Sequence, residues 1–359
     1  MRLPTDGPSA EAPRFAPWDQ AWQQALYGSE GFYLRPEGPA GHFATAAHTS
    51  QGGLLAAALV RLAQLAGCRR VVDVGAGRGE LLAAVSAVPD AQDLELVAVD
   101  LCARPPQLPS RVGWATTVPA PTAPTLLLGW ELLDVAPCPV LQADGEGGLR
   151  MVRVSSTGSE ELGAEPTPAD LAWCRSWWSG PYEPGQRVEV GRARDEVWVA
   201  MVSAGLGGDG LALAVDYEHT LGSRPHAGSL TGFRSGRACA PVPDGRHDLT
   251  AHVALDSVAA ALRSSHPGLT TGRTSQQAAL RALGVSGRRP EAGRARTDPT
   301  GYLADLSRAG EASVLLDPDG LGGFGWLLSA AGEDAERALR TLTNRTSVTE
   351  RDAAPGCST

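Results

Sequence analysis

Residues 71–81, VVDVGAGRGEL, have the types and spacing most able to do chemistry. A β-branched run reaches Asp73, and Gly75, Gly77 and Gly79 follow at alternate positions. A glycine-rich turn between a strand and a helix lets the backbone approach a nucleotide-like ligand closely. The dinucleotide fingerprint would need glycine at position 80. Glu80 stands there, and a carboxylate beside a pyrophosphate is repulsive. The phosphate-loop pattern needs a lysine, and the chain contains none. What is left is D-x-G-x-G-x-G. A second carboxylate, Asp100, closes the next apolar run, LELVAVD, where a ribose-binding carboxylate is expected. A tight packing turn would explain the glycines alone; it does not explain Asp100 at the end of the next strand.

These residues need a frame. RRVVDVG, LELVAVDL and TLLLGWELLD read as strands, and RGELLAAVSAV reads as the helix after the glycines, which makes a βαβ unit of a parallel sheet. A helix is predicted from Trp18 to Tyr27, ended near Gly28, and another over GGLLAAALVRLAQLA. LRMVRV and GLALAVDY read as later strands. EASVLLD and FGWLLSA read as two more, flanking PDGLGG. Residues 265–300, rich in Gly, Arg, Ser and Pro, read as the loosest internal segment. WCRSWW reads as a buried helix face.

Composition sets the class. Hydrophobic residues make up 43% and charged residues 20%, which is a soluble globular balance. A net charge of −9 with scattered arginines argues against general nucleic-acid binding. No run of about 18 apolar residues exists, so no membrane span is expected, and the first residues have no secretory apolar core. The cysteines at 68, 102, 138, 174, 239 and 357 form no CxxC pair. They read as incidental thiols of a reducing cytoplasm, with no metal site. His247 and His252 do not share a helix face as metal-binding histidines would.

The D-x-G-x-G-x-G loop resembles the first motif of class I S-adenosylmethionine-dependent methyltransferases. An ordered set of segments narrows the resemblance: ALYGSEGFY, GHFATAAHTSQ, VVDVGAGRGELL, WELLDVAPCPV, LALAVDYEH, GSLTGFRSGRACAPVPDGRHDLTAHV and GLGGFGWL. Together they resemble the MidA-like family, related to the mitochondrial complex I assembly methyltransferase that modifies an arginine of a partner subunit. The resemblance runs from Tyr27 to about Leu328. It departs from the family pattern at His42, Trp130, Glu218 and Gly236, and these departures look like an actinobacterial branch.

The resemblance implies an α/β class I methyltransferase (Rossmann-like) fold: a mostly parallel seven-stranded sheet with helices on both faces, plus helical and loop insertions. The expected organisation is a loose segment at 1–17, one methyltransferase domain at 18–345 and a loose tail at 346–359. Within the domain, 18–66 supplies N-terminal helices and a lid loop, 67–140 the cofactor-binding half, 141–205 an insertion, and 206–330 the rest of the sheet and the acceptor side. Thr45, Asp73, Gly75, Gly77, Gly79 and Asp100 are the expected cofactor contacts, for S-adenosyl-L-methionine. Glu131 and Asp134 are the candidate catalytic carboxylates, able to hold and orient a guanidinium as a bidentate pair. Asp216 and Tyr217 are read as lining the acceptor side or as packing. His42 is a candidate general base, and Asp248 reads as a helix cap. The expected activity is methyl transfer to a protein side chain, arginine nitrogen first. The alternatives are a small-molecule O- or N-methyltransferase on the same fold, and a non-catalytic cofactor-binding assembly factor.

Overall fold

The computed structural model describes residues 14–35, 53–178 and 180–343. The chain enters through strand β1 (Phe15–Pro17) and helix α1 (Trp18–Tyr27). Trp18, Trp22, Ala25 and Leu26 fall on one face of α1 at helical spacing and are buried, and Gly28 follows the helix end. Helix α2 (Gly53–Leu65) descends to β2 (Arg70–Val74), and α3 (Glu80–Ala87) returns to β3 (Glu95–Val99). Strands β4 (Val112–Ala115) and β5 (Thr125–Trp130) complete the first half of the sheet.

After β5 the chain builds a second, smaller sheet from β6 (Val140–Ala143), β7 (Leu149–Ser155), β8 (Glu160–Leu162) and β9 (Arg187–Glu189). Its order is β1-β7-β6-β9, with β8 paired to β7. Helix α4 (Pro168–Trp177) lies between β8 and β9. It begins at Thr167, whose side chain accepts from the Asp170 N–H, with Pro168 in the first turn. Of the WCRSWW run, Trp173 and Cys174 are buried on the helix, Trp177 is half-buried, and the buried Trp178 lies just past the helix end. Helix α5 (Arg192–Gly205) packs Trp198 and Val202 against the central sheet, although its residues fall inside the expected insertion.

Strand β10 (Gly210–Asp216) continues the main sheet. Short strands follow: β11 (Glu218–His219), β12 (Thr231–Arg234), β13 (Arg237–Cys239), β14 (Asp248–Thr250) and β15 (Val253–Ala254). Helix α6 (Leu255–Ser265), β16 (Thr270–Ser275), α7 (Gln276–Ala282), α8 (Arg294–Thr297), α9 (Pro299–Leu315), β17 (Gly325–Ala331) and α10 (Glu333–Thr343) complete the described chain. The main sheet has seven strands in the order β16-β17-β10-β5-β2-β3-β4. β17 runs antiparallel between β10 and β16, and the pairings from β10 to β4 are parallel. This is the expected fold class.

Period-two alternation divides the core between the two faces. Val71, Leu126, Leu128 and Leu213 join the layer of α2 and α3. Val72, Leu127, Ala212 and Ala214 join the layer of α5 and α6.

Two expectations are corrected. EASVLLD is the end of α9, not a strand. Asp298 caps that helix by accepting from the Gly301 N–H, Pro299 sits in its first turn, and Ala309, Ala312 and Leu315 are its buried residues. Residues 265–300 are more ordered than their composition suggests. They contain the polar strand β16 and helix α7, which Ser275 caps by accepting from the Ala278 N–H. Among the described residues, no helix is long and apolar enough to cross a membrane.

Candidate functional site

The carboxyl ends of β2, β3, β5 and β10 converge on one edge of the sheet, where open α/β sheets place their ligands. The glycine loop leaves β2 with Gly75, Gly77 and Gly79 at φ +74°, +60° and +79°, a region other residues enter at a cost. The N–H groups of Gly75 and Ala76 both donate to the Val99 carbonyl, at 2.9 and 3.1 Å, which fastens the loop to the end of β3. A Cβ on Gly75 would lie 2.6 Å from Leu132 Cδ1, and one on Gly79 would lie 2.6 Å from Leu108 Cδ1. A Cβ on Gly77 would meet only Glu80 Oε2 at 3.7 Å among the described residues, so within them the loop is open at this glycine.

Asp100 sits half-buried beside that loop. Its Oδ2 accepts from the Gly77 N–H at 2.9 Å and its Oδ1 from the Cys102 N–H at 3.0 Å. Each oxygen keeps a further lone pair for another donor. Asp73 is buried at 3% exposure, and no hydrogen bond reaches its carboxyl among the described residues. Burial, with the Asp100 and Glu80 carboxylates nearby, pushes the Asp73 carboxyl up to about 8.

A second group forms after β5 and β10. Glu131 has φ +50°, one of two non-glycine residues with positive φ among those described, and its N–H donates to Val215 O at 2.9 Å. Such a conformation is found where surrounding structure imposes it. Asp216, fully buried at the end of β10, supplies part of that structure: its Oδ2 accepts from the Leu133 N–H at 2.9 Å and the Asp134 N–H at 3.2 Å. Asp134 is buried, and its Oδ1 has no hydrogen-bond partner among the described residues. Asp248 faces the same group. Its Oδ1 accepts from the Tyr33 hydroxyl at 2.9 Å and the Leu249 N–H at 3.0 Å.

Burial raises Asp134, Asp216 and Asp248 above the usual carboxylate range. Asp134 adds to the rise at Asp216 and Asp248, and Glu131 adds a smaller part at both. Arg194 is the buried cation here. Its guanidinium is engaged by backbone carbonyls: Asp134 O, Ala136 O, Ala251 O and His252 O, all within 3.0 Å. Tyr217 stacks on His252, with ring centroids 5.7 Å apart.

The structure therefore brings Asp73, the three glycines and Asp100 together at one part of the edge, and Glu131 and Asp134 together at another. Thr45 and His42 lie outside the described residues. Asp248 is in β14 and receives the Tyr33 hydroxyl; the helix-cap reading is overturned because the run after it is extended. His247 pairs with Asp244 at 2.8 Å, while His252 lies against Tyr217.

The departures have local explanations. Trp130 is a core residue, edge-on to Trp326 at 5.8 Å. Glu218 pairs with Arg273 at 3.2 Å. Gly236 (φ +75°), with Ser235 (φ +50°), makes the two-residue turn between β12 and β13. Sequence reasoning missed Tyr33 and Arg194, whose partners are 215 and 57 to 60 residues away. Asp216, read only as lining or packing, also proves to anchor the loop that begins at Glu131.

A family model described as "Putative S-adenosyl-L-methionine-dependent methyltransferase" matches residues 54–271. A crystal structure of a Burkholderia thailandensis protein bound to S-adenosylhomocysteine is 24% identical over 89% of this chain and 90% of its own, with a TM-score of 0.68. A native structure of a protein of the same superfamily and organism is also 24% identical, with the same coverage and a TM-score of 0.70. This likeness is one of fold. No curated protein matches the chain. The family match spans the glycine loop, Asp100, Glu131 and Asp216, and the chain belongs to this family of S-adenosyl-L-methionine-dependent methyltransferases.

Proposed function

We propose that this methyltransferase acts on a cationic nitrogen of a protein side chain, arginine first, with Glu131 and Asp134 facing the acceptor. The observation that carries this reading is the gathering of Glu131, Asp134, Asp216 and Asp248 at one edge of the sheet, where the Arg194 guanidinium, hydrogen-bonded to carbonyl groups, offsets only part of their burial and mutual repulsion. Carboxylates this close repel one another and are pushed toward their neutral forms. A guanidinium entering the group would offset that repulsion and could be gripped in a fixed plane. The MidA-like motifs support the same acceptor class.

The other end of the edge fits S-adenosylmethionine. Gly77 leaves its open side to the ligand, Asp73 offers a buried carboxyl to a cationic group, and Asp100 has lone pairs for ribose hydroxyls. When bound, the cofactor supplies a methyl group already activated on a sulfonium. The chain's own part is to orient the nitrogen toward that methyl and to accept its proton. Asp216 holds the loop that carries Glu131 and Asp134, and Tyr33 holds Asp248.

The test is transfer of labelled methyl from S-adenosylmethionine to arginine-containing peptides, followed by acid hydrolysis. Methylated arginine that disappears in Glu131→Gln, with S-adenosylhomocysteine affinity retained, supports the reading. Label confined to small organic acceptors in a cell extract would overturn the protein acceptor.

A further inference from the structure

A groove of about 800 Å³ lies on the outer side of the helical layer, away from the glycine loop and the carboxylates. It runs along α2 from Leu54 to Gln64, and its far wall is the segment after α7 together with α9. Its floor includes Ala58, Val60, Val285 and Ala309. Its rim carries Arg61, Arg288, Arg289, Arg294 and Arg308, against the carboxylates of Asp90, Glu291 and Asp305. Arg294 and Arg308 both pair with Asp305. The guanidinium groups of Arg61, Arg288 and Arg289 make no ion pair or hydrogen bond among the described residues. Asp90 and Glu291 make no ion pair among the described residues either, so the rim's five guanidinium groups and three carboxylates leave a net positive balance around an apolar floor in a chain of net charge −9.

We propose that this groove is a docking site for an extended acidic-apolar peptide segment of a protein partner. Charge complementarity favours an anionic occupant, and the apolar floor favours apolar side chains beside the charges. Among the described residues the lining contains no aromatic residue to stack on a base, which disfavours single-stranded nucleic acid. Its three carboxylates would repel a uniformly charged phosphate backbone but can accept peptide N–H groups. The shape is concave, whereas a membrane surface meets a flat or convex face. The distance from Leu54 to Gln64 along the helix is about 15 Å, which matches roughly four to five residues of extended peptide. Arginine is the only long-chain cation this sequence uses, so the argument rests on charge and shape rather than on a choice of arginine over lysine. The site does not depend on what the methyl acceptor is.

The experiment is fluorescence anisotropy with a labelled, capped hexapeptide of alternating leucine and glutamate, titrated with the full chain. Saturable binding is expected, weakening at least about tenfold in the Arg61→Glu/Arg289→Glu double variant and with the leucine–glutamine analogue. S-adenosylhomocysteine affinity reports whether the variant is folded. Should the double variant fail that check, Arg289→Ser, on an exposed loop, gives the same comparison. The proposal is overturned by absence of saturable binding or by equal binding of the glutamine peptide. It is also overturned if an oligothymidylate or phosphatidylserine vesicles bind more tightly with the same dependence on Arg61 and Arg289.

Discussion

Asp73 and Asp100 carry the same functional group at the ends of neighbouring strands, yet their surroundings differ. Asp100 receives two backbone N–H groups, whereas Asp73 is buried among other carboxylates and is pushed up to about 8. At neutral pH the ligand-free chain therefore holds a proton on Asp73. A cationic group placed beside it favours the carboxylate, so binding expels that proton. Affinity for S-adenosylmethionine should rise as pH increases through about 8 and level off above it. Calorimetry in buffers of different ionisation heat should register proton release near pH 7, and a heat independent of buffer would remove Asp73 from the cofactor site. For Asp100→Ala we expect cofactor affinity to fall at least about tenfold, since a charged hydrogen-bonding partner is worth about 1.5–3 kcal/mol. Both aspartates were legible in the sequence because each closes an apolar run. Asp248 was misread and Tyr33 missed, because their bond joins positions 215 residues apart and leaves no local pattern.

Elements position these residues, and the glycine loop shows how directly. Alanine at Gly75 meets both a left-handed backbone and Leu132 Cδ1 at 2.6 Å. The backbone strain alone costs about 1–2 kcal/mol, so Gly75→Ala should lower both stability and cofactor affinity. Gly77→Ala carries similar strain, but its methyl points to the open side of the loop. It should reduce affinity by more than its loss of stability explains, which urea melts and calorimetry on the two variants would separate. Elsewhere, Trp173 on α4 and Ser257 on α6 both donate to Asp195 Oδ2 on α5, at 2.9 and 2.6 Å, joining three helices through one buried carboxylate. Trp173→Phe removes one of those donors and should cost about 1–3 kcal/mol in urea unfolding. Helices with an apolar face at regular spacing, such as α1 and α2, were readable from sequence. The short apolar run EASVLLD fits a strand or a helix equally, and only the cap at Asp298, more than ten residues upstream, decides between them. Strand β16 was missed for the opposite reason: TTGRTS has no apolar alternation, because it is an edge strand that pairs on one side only among the described residues.

At the scale of the whole molecule, the raised carboxyls act together on stability. Asp73 and Asp248 are pushed up to about 8 and Asp195 to about 6, and Asp134 and Asp216 are also raised, each from an ordinary value of 3.8. Above pH 4 the folded chain holds protons on these groups that the unfolded chain has released, up to about pH 6 at Asp134 and Asp195 and about pH 8 at Asp73 and Asp248. These groups therefore make stability fall as pH rises across that window, and their contribution is fully present only below about pH 4. His219 and His252, shifted downward by burial, oppose them through the ordinary histidine range and are outweighed by the two carboxyls raised to about 8. Asp244 and Asp144 are shifted downward and act in the opposite direction, but their effect is lost only as pH falls below the ordinary carboxylate range, outside this window. The ligand-free chain should accordingly melt at a higher temperature at pH 6 than at pH 9. Saturating S-adenosylmethionine should narrow the gap, because a cation beside Asp73 removes that group's share. Melting curves at the two pH values, with and without the cofactor, check both statements. A ligand-free chain more stable at pH 9 would mean that the carboxylates gathered at the sheet edge are already compensated, and would remove the electrostatic reason for a cationic acceptor.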